Sequence, residues 1–94
     1  MRSFVDDETE RVFNRYRSRK FGSIERGAFR RLRAIEAARL LADLKHPPGN
    51  RLEALQGRRK GTYSIRINDP WRICFEWREP HAYEVKIVDY HQAL

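Results

Sequence analysis

Apolar residues recur every three or four positions in the first half of the chain and every second position in the latter half. The first period belongs to helices packed on a core and the second to half-buried strands. Ser3-Phe4-Val5 reads as a short strand. Asp7 follows as an N-cap with Glu10 at capping-box distance, predicting a first helix to about Arg17 with Val12, Phe13 and Tyr16 as its buried stripe. Phe21-Gly22 interrupts it and Ser23 can cap the next helix. Ile24, Ala28, Leu32, Ile35, Ala38, Leu41 and Leu44 then form one apolar face, so the second helix is expected over 24–44. Pro47-Pro48-Gly49 ends it.

Strict alternation begins at Thr62. Tyr63, Ile65 and Ile67 face one way and Thr62, Ser64, Arg66 and Asn68 the other. Asn68-Asp69-Pro70 reads as a turn. Trp71, Ile73, Phe75 and Trp77 alternate with Arg72, Cys74, Glu76 and Arg78. After a turn at Glu79-Pro80-His81, the residues Tyr83, Val85 and Ile87 lead a final strand. The pattern predicts one α+β domain over 1–94. A short N-terminal strand and two helices pack on one face of a mainly antiparallel β-meander. By parity Trp71 and Trp77 belong to the core, and Arg66, Arg72 and Lys86 to the opposite, polar face.

Composition adds charge to this picture. The 94 residues carry a formal net charge of +7, with 40% hydrophobic and 35% charged residues. Such a chain folds and favours polyanions. The charge falls in two blocks. Nine basic residues from Arg11 to Arg33 face Glu25 alone; Arg51, Arg58, Arg59, Lys60 and Arg66 form a second block against Glu53. In the first, Arg15, Arg19 and Lys20 are candidates for RNA phosphates; the second lies nearer the polar strand face. Cys74 is the only cysteine, which suits a reducing compartment. With no apolar run fit for a signal peptide or a membrane span, the expected location is the cytoplasm and no membrane partner is expected.

Candidate chemistry is sparse. His46, His81 and His91 stand in no metal-ligand spacing with one another or with Cys74, so no metal site is expected. Gly57 and Gly61 bracket Arg58-Arg59-Lys60 without forming a P-loop. Cleavage of RNA by its own 2′-hydroxyl remains open to such a chain. It needs a proton acceptor, a proton donor and cations for the charge growing on phosphate. Asp89-Tyr90-His91 offers titratable groups, and Arg66 and Arg72 offer fixed cations. Alternation from Tyr83 would send Asp89 and His91 to the core side, so a twist or bulge is needed for all three to meet RNA.

Four segments together carry a resemblance: Arg51-Leu52-Glu53-Ala54-Leu55-Gln56-Gly57, Gly61-Thr62-Tyr63-Ser64-Ile65-Arg66-Ile67, Trp71-Arg72-Ile73-Cys74-Phe75 and Asp89-Tyr90-His91. In this order and spacing the chain resembles the HigB group of RelE/ParE-type bacterial toxins over nearly its whole length. The resemblance implies a RelE-like fold and a type II toxin–antitoxin system. It further implies a ribosome-dependent endoribonuclease that enters the decoding site and cuts translated mRNA without metal or cofactor. The partner it implies is a HigA-type helix-turn-helix antitoxin, with DNA reached only through that antitoxin. Arg72, Asp89, Tyr90 and His91 carry over as catalytic positions. The chain departs from the pattern at Glu53, where several relatives have histidine, and at Gln56, where they have lysine; if that histidine assists proton transfer, either Glu53 takes its part or the step is slower. A ParE-like gyrase inhibitor and a non-catalytic RNA-binding module are the alternative readings.

Overall fold

The computed structural model describes residues 1–55 and 61–89. Strands β1 (Glu53–Ala54), β2 (Thr62–Arg66), β3 (Trp71–Arg78) and β4 (His81–Asp89) form one antiparallel meander in sequence order. Helices α1 (Asp7–Phe13) and α2 (Glu25–Ala37) cover one face of it, giving the expected α+β arrangement. The core is where the two periods meet. Ala28, Leu32 and Ile35 of α2 and Val12 of α1 pack with Ile65, Ile73, Phe75 and Val85 of the sheet, none more than 1% exposed. Trp71 and Trp77 are half-buried against this core, Trp71 standing edge-on to Phe21 with ring centroids 5.6 Å apart.

Each helix is shorter than its apolar stripe predicts. Asp6, not Asp7, caps α1, its Oδ1 accepting the Thr9 N–H at 2.7 Å. The helix stops at Phe13, whose carbonyl accepts from Arg33 Nη2 at 3.1 Å instead of from a further turn. Arg15 then adopts a left-handed conformation (φ +67°), and Tyr16 points outward, 61% exposed, not into the core. Ser23 caps nothing; a 3₁₀ turn over Gly22–Ile24 leads into α2. The connecting loop is fixed by Ser18, which donates to Glu8 at 2.6 Å and accepts the Phe21 N–H.

Helix α2 ends at Ala37, not near Leu44. Asp43 explains the break: its Oδ2 accepts the N–H groups of Arg39 and Leu40 at 3.0 and 3.1 Å, an arrangement that starts a separate 3₁₀ segment, Leu41–Lys45. These two backbone bonds, Leu40 first, hold the Asp43 carboxyl below its ordinary pKa. The apolar face still survives the break, because Ala38 and Leu44 are buried. A third 3₁₀ turn (Pro48–Asn50) then delivers the chain to β1, a two-residue edge strand that alternation was too brief to announce.

The N-terminal strand is reduced to one parallel bridge, Phe4 with Val85. Its cause lies in β4. Between the pairs Cys74–Lys86 and Glu76–Tyr83 the register shifts by one, and Glu84 takes the left-handed φ of +51°. The bulge presents the Glu84 N–H to Ser3 Oγ (2.8 Å), while the Val85 N–H bonds the Ser3 carbonyl (3.0 Å). It also reverses the parity of the early strand. Ala82, not Tyr83, joins Val85 and Ile87 in the core, and Tyr83 shares its face with Glu76 and Arg78. Thr9 completes the join by accepting the Ile87 N–H at 3.1 Å, tying α1 to β4.

Two stability outcomes follow from these contacts. Leu32→Ala is expected to cost about 2–5 kcal/mol in denaturant unfolding, since the side chain is fully enclosed. Glu84→Gly is expected to keep or raise the melting temperature, worth up to about 1 kcal/mol, whereas Glu84→Val lowers it. Equal losses from both substitutions at Glu84 would contradict the strained bulge.

Candidate functional site

The face of the meander away from the helices is set out by register. Glu53, Ser64, Cys74 and Lys86 form one cross-strand row, and Arg66, Arg72 and Val88 the next. Positions of all four strands are thereby placed side by side. Sequence distance between Glu53 and Arg72 disappears across two hairpins.

Arg72 is the centre of this arrangement and is only 8% exposed. A buried guanidinium is costly unless its donors are met. Its Nε donates to Ser64 Oγ at 2.8 Å; Nη2 donates to the Arg51 carbonyl at 2.7 Å and the Ser64 carbonyl at 3.3 Å. Glu53 Oε1 lies 3.4 Å from the same Nη2. The Arg51 carbonyl is itself held in place. Arg51 is left-handed (φ +45°), closing a turn in which buried Asn50 donates to the carbonyls of Leu44 and His46 at 3.3 and 3.1 Å.

Arg66 stands next to Arg72 in the row and is more open. Its Nε pairs with Asp69 at 3.2 Å, an exposed contact of small energetic weight. Its carbonyl accepts from Arg31 Nε at 2.7 Å, linking α2 to the end of β2. Burial, then repulsion from Arg30 and Arg66, pushes the Arg31 guanidinium below its ordinary pKa. That is a structural arginine the sequence analysis left undistinguished from its neighbours.

The expected site residues therefore separate. Arg72, Glu53 and Arg51 converge, with Arg66 beside them. Asp89 pairs with Trp71, one register position beyond Val88, the partner of Arg72 on β4. Arg15, Arg19 and Lys20 lie in the helical layer. Arg15 stacks over Phe29 at 4.9 Å beside a groove of about 600 Å³ shared with Tyr16, Arg26 and Arg30, and Arg19 and Lys20 border a second hollow with Arg11 and Arg17. Arg58, Arg59, Lys60, Tyr90 and His91 lie outside the described residues. Ser64 and the Arg51 carbonyl were missed as Arg72's supports. Ser64 had a legible signal, since its polar parity faces Arg72 across one strand, but a backbone acceptor on a 3₁₀ turn has none.

Chemically, the arrangement is a guanidinium held by neutral acceptors, with a largely exposed carboxylate beside its Nη2. Such a group can offer fixed charge to a phosphate. Among the described residues no helix is long and apolar enough to cross a membrane.

Comparison with known proteins gives the chain a family. Residues 2–91 match the family described as RelE-like toxin of type II toxin-antitoxin system HigB. The chain is 43% identical to Toxin HigB-1 of Vibrio cholerae serotype O1, the alignment covering 65% of this chain and 74% of that one. It is 36% identical to Endoribonuclease HigB of Proteus vulgaris, with 65% of each covered. A type II toxin acts with an antitoxin, so such a partner comes with the family. The chain belongs to the HigB family of RelE-like toxins of type II toxin–antitoxin systems.

Proposed function

We propose that this toxin is a ribosome-dependent endoribonuclease that cuts translated mRNA and so inhibits translation. The observation that carries the reading is Arg72, fixed on the sheet face away from the helices by Ser64 and the Arg51 carbonyl. Neither gyrase inhibition nor passive RNA binding calls for a guanidinium anchored so closely. The name of the Proteus vulgaris relative, an endoribonuclease, supports the same reaction here.

In that reaction the ribose 2′-oxygen bonds to the adjacent phosphorus and the bond from phosphorus to the 5′-oxygen breaks. A base takes the 2′-hydroxyl proton, and an acid supplies one to the leaving 5′-oxygen. Arg72 stabilises the charge that builds on the phosphate oxygens, at no cost of reorganisation because it is already held. Proton transfer falls to the Asp89-Tyr90-His91 ending. Glu53 belongs to the same site through its contact with Arg72. Arg51 and Arg66, with Arg58, Arg59 and Lys60, guide the mRNA. Arg15, Arg19 and Lys20 on the helical layer grip ribosomal RNA, where each neutralised phosphate steepens the salt dependence by about one unit. The partner that silences the toxin is a HigA-type helix-turn-helix protein, and its place of action is the cytoplasm.

Mapping mRNA 5′ ends in translating extracts tests this. The wild type is expected to produce cuts that require ribosomes, and Arg72→Ala to lose them by about 10²-fold or more. Arg72→Lys is expected to rescue little, because an ammonium cannot keep both the Ser64 bond and a forked grip on phosphate. His91→Ala is expected to abolish cutting as well. Growth arrest with intact mRNA and damaged DNA would instead establish gyrase as the target.

A further inference from the structure

Glu53 and Arg72 form an unequal pair. The Arg72 side chain is 9% exposed and that of Glu53 57%. The guanidinium is held by Ser64 Oγ, the Ser64 carbonyl and the Arg51 carbonyl, at 2.7 to 3.3 Å. Glu53 approaches Nη2 at 3.4 Å from an edge strand of two residues. The carboxylate can therefore leave without unseating the arginine, whereas Arg72 cannot leave without breaking its neutral anchors. A pair built this way has one displaceable member.

We infer that the Glu53 carboxylate is an internal competitor for the RNA phosphate: it occupies the anion position at Arg72 in the free toxin, and substrate must displace it to bind. This rests on the reading of Arg72 as the phosphate-binding cation. Both anions seek the same guanidinium, and Coulomb repulsion disfavours their both lying close against it. Displacement exchanges one anion for another, so the buried guanidinium never lacks a counter-charge. Glu53 then sets substrate affinity rather than the rate of the chemical step. A carboxylate more than half exposed and 3.4 Å from the guanidinium is held weakly enough for a phosphate to replace it, and removing the competitor tightens binding by a correspondingly modest factor.

The test is binding of wild type, Glu53→Gln, Arg72→Ala and the double variant to ribosomes carrying an mRNA with a 2′-deoxy residue at the cut site. Cleavage of the all-ribose mRNA is measured alongside, with thermal melts for each protein. Glu53→Gln is expected to bind roughly two- to fivefold more tightly than wild type. In the Arg72→Ala background the same change is expected to give no gain, since the competition needs the guanidinium. Unchanged affinity in Glu53→Gln, or an equal gain with and without Arg72, would overturn the inference. So would a large fall in maximal rate at constant affinity, which would make Glu53 a proton-transfer group. Failure of the reading beneath it has a different signature: wild type would bind these ribosomes without cutting the all-ribose mRNA.

Discussion

A guanidinium buried on the outer face of a four-stranded sheet must find its acceptors nearby or destabilise the fold. Arg72 finds them in Ser64 on the adjacent strand and in the carbonyl of Arg51, on the turn leading into the edge strand. This one requirement joins β3, β2 and the approach to β1. It also explains why the 3₁₀ turn before β1 is pinned by a buried asparagine: the Arg51 carbonyl must not drift. The same contacts that satisfy the buried donors leave the group rigid and cationic, which is what a developing phosphate charge requires. Stability and chemistry are served by one set of bonds.

The two layers of the fold divide the positive charge. Arg66 and Lys86 share the sheet face with Arg72, whereas Arg15, Arg19 and Lys20 sit with the helices, several of the helical arginines laid against aromatic rings. Arg33 illustrates the economy of that layer. It stacks over Phe13 at 4.3 Å while one nitrogen closes the end of α1 through the Phe13 carbonyl. Charge here is partly a structural material, and a sum over the sequence does not distinguish it from charge offered to a partner.

Much of the fold was legible because the core obeys its two periods. Ala28, Leu32 and Ile35, like Ile65, Ile73 and Val85, are buried as their spacing demands. Departures occur where a short polar side chain competes with regular hydrogen bonding. Asp43 breaks α2, Asp6 takes the cap from Asp7, and Ser3 meets a bulge that reverses the parity of Tyr83. No hydrophobic pattern encodes those choices. At the site, parity correctly assigned Arg66 and Arg72 to the polar face. Parity did not indicate that Arg72 would be buried, because that depends on a turn arriving from elsewhere in the chain. The contact with Glu53 likewise depends on an edge strand only two residues long.

The central claim is that Arg72 is held in place before RNA arrives. Nitrogen-15 NMR of arginine side chains measures this directly, through exchange of the Nε proton with water. In the free protein the Arg72 proton is expected to exchange far more slowly than those of exposed arginines, and Ser64→Ala is expected to remove most of that protection while the fold persists. An Arg72 signal exchanging as fast as that of Arg19, in a folded protein, would contradict the account.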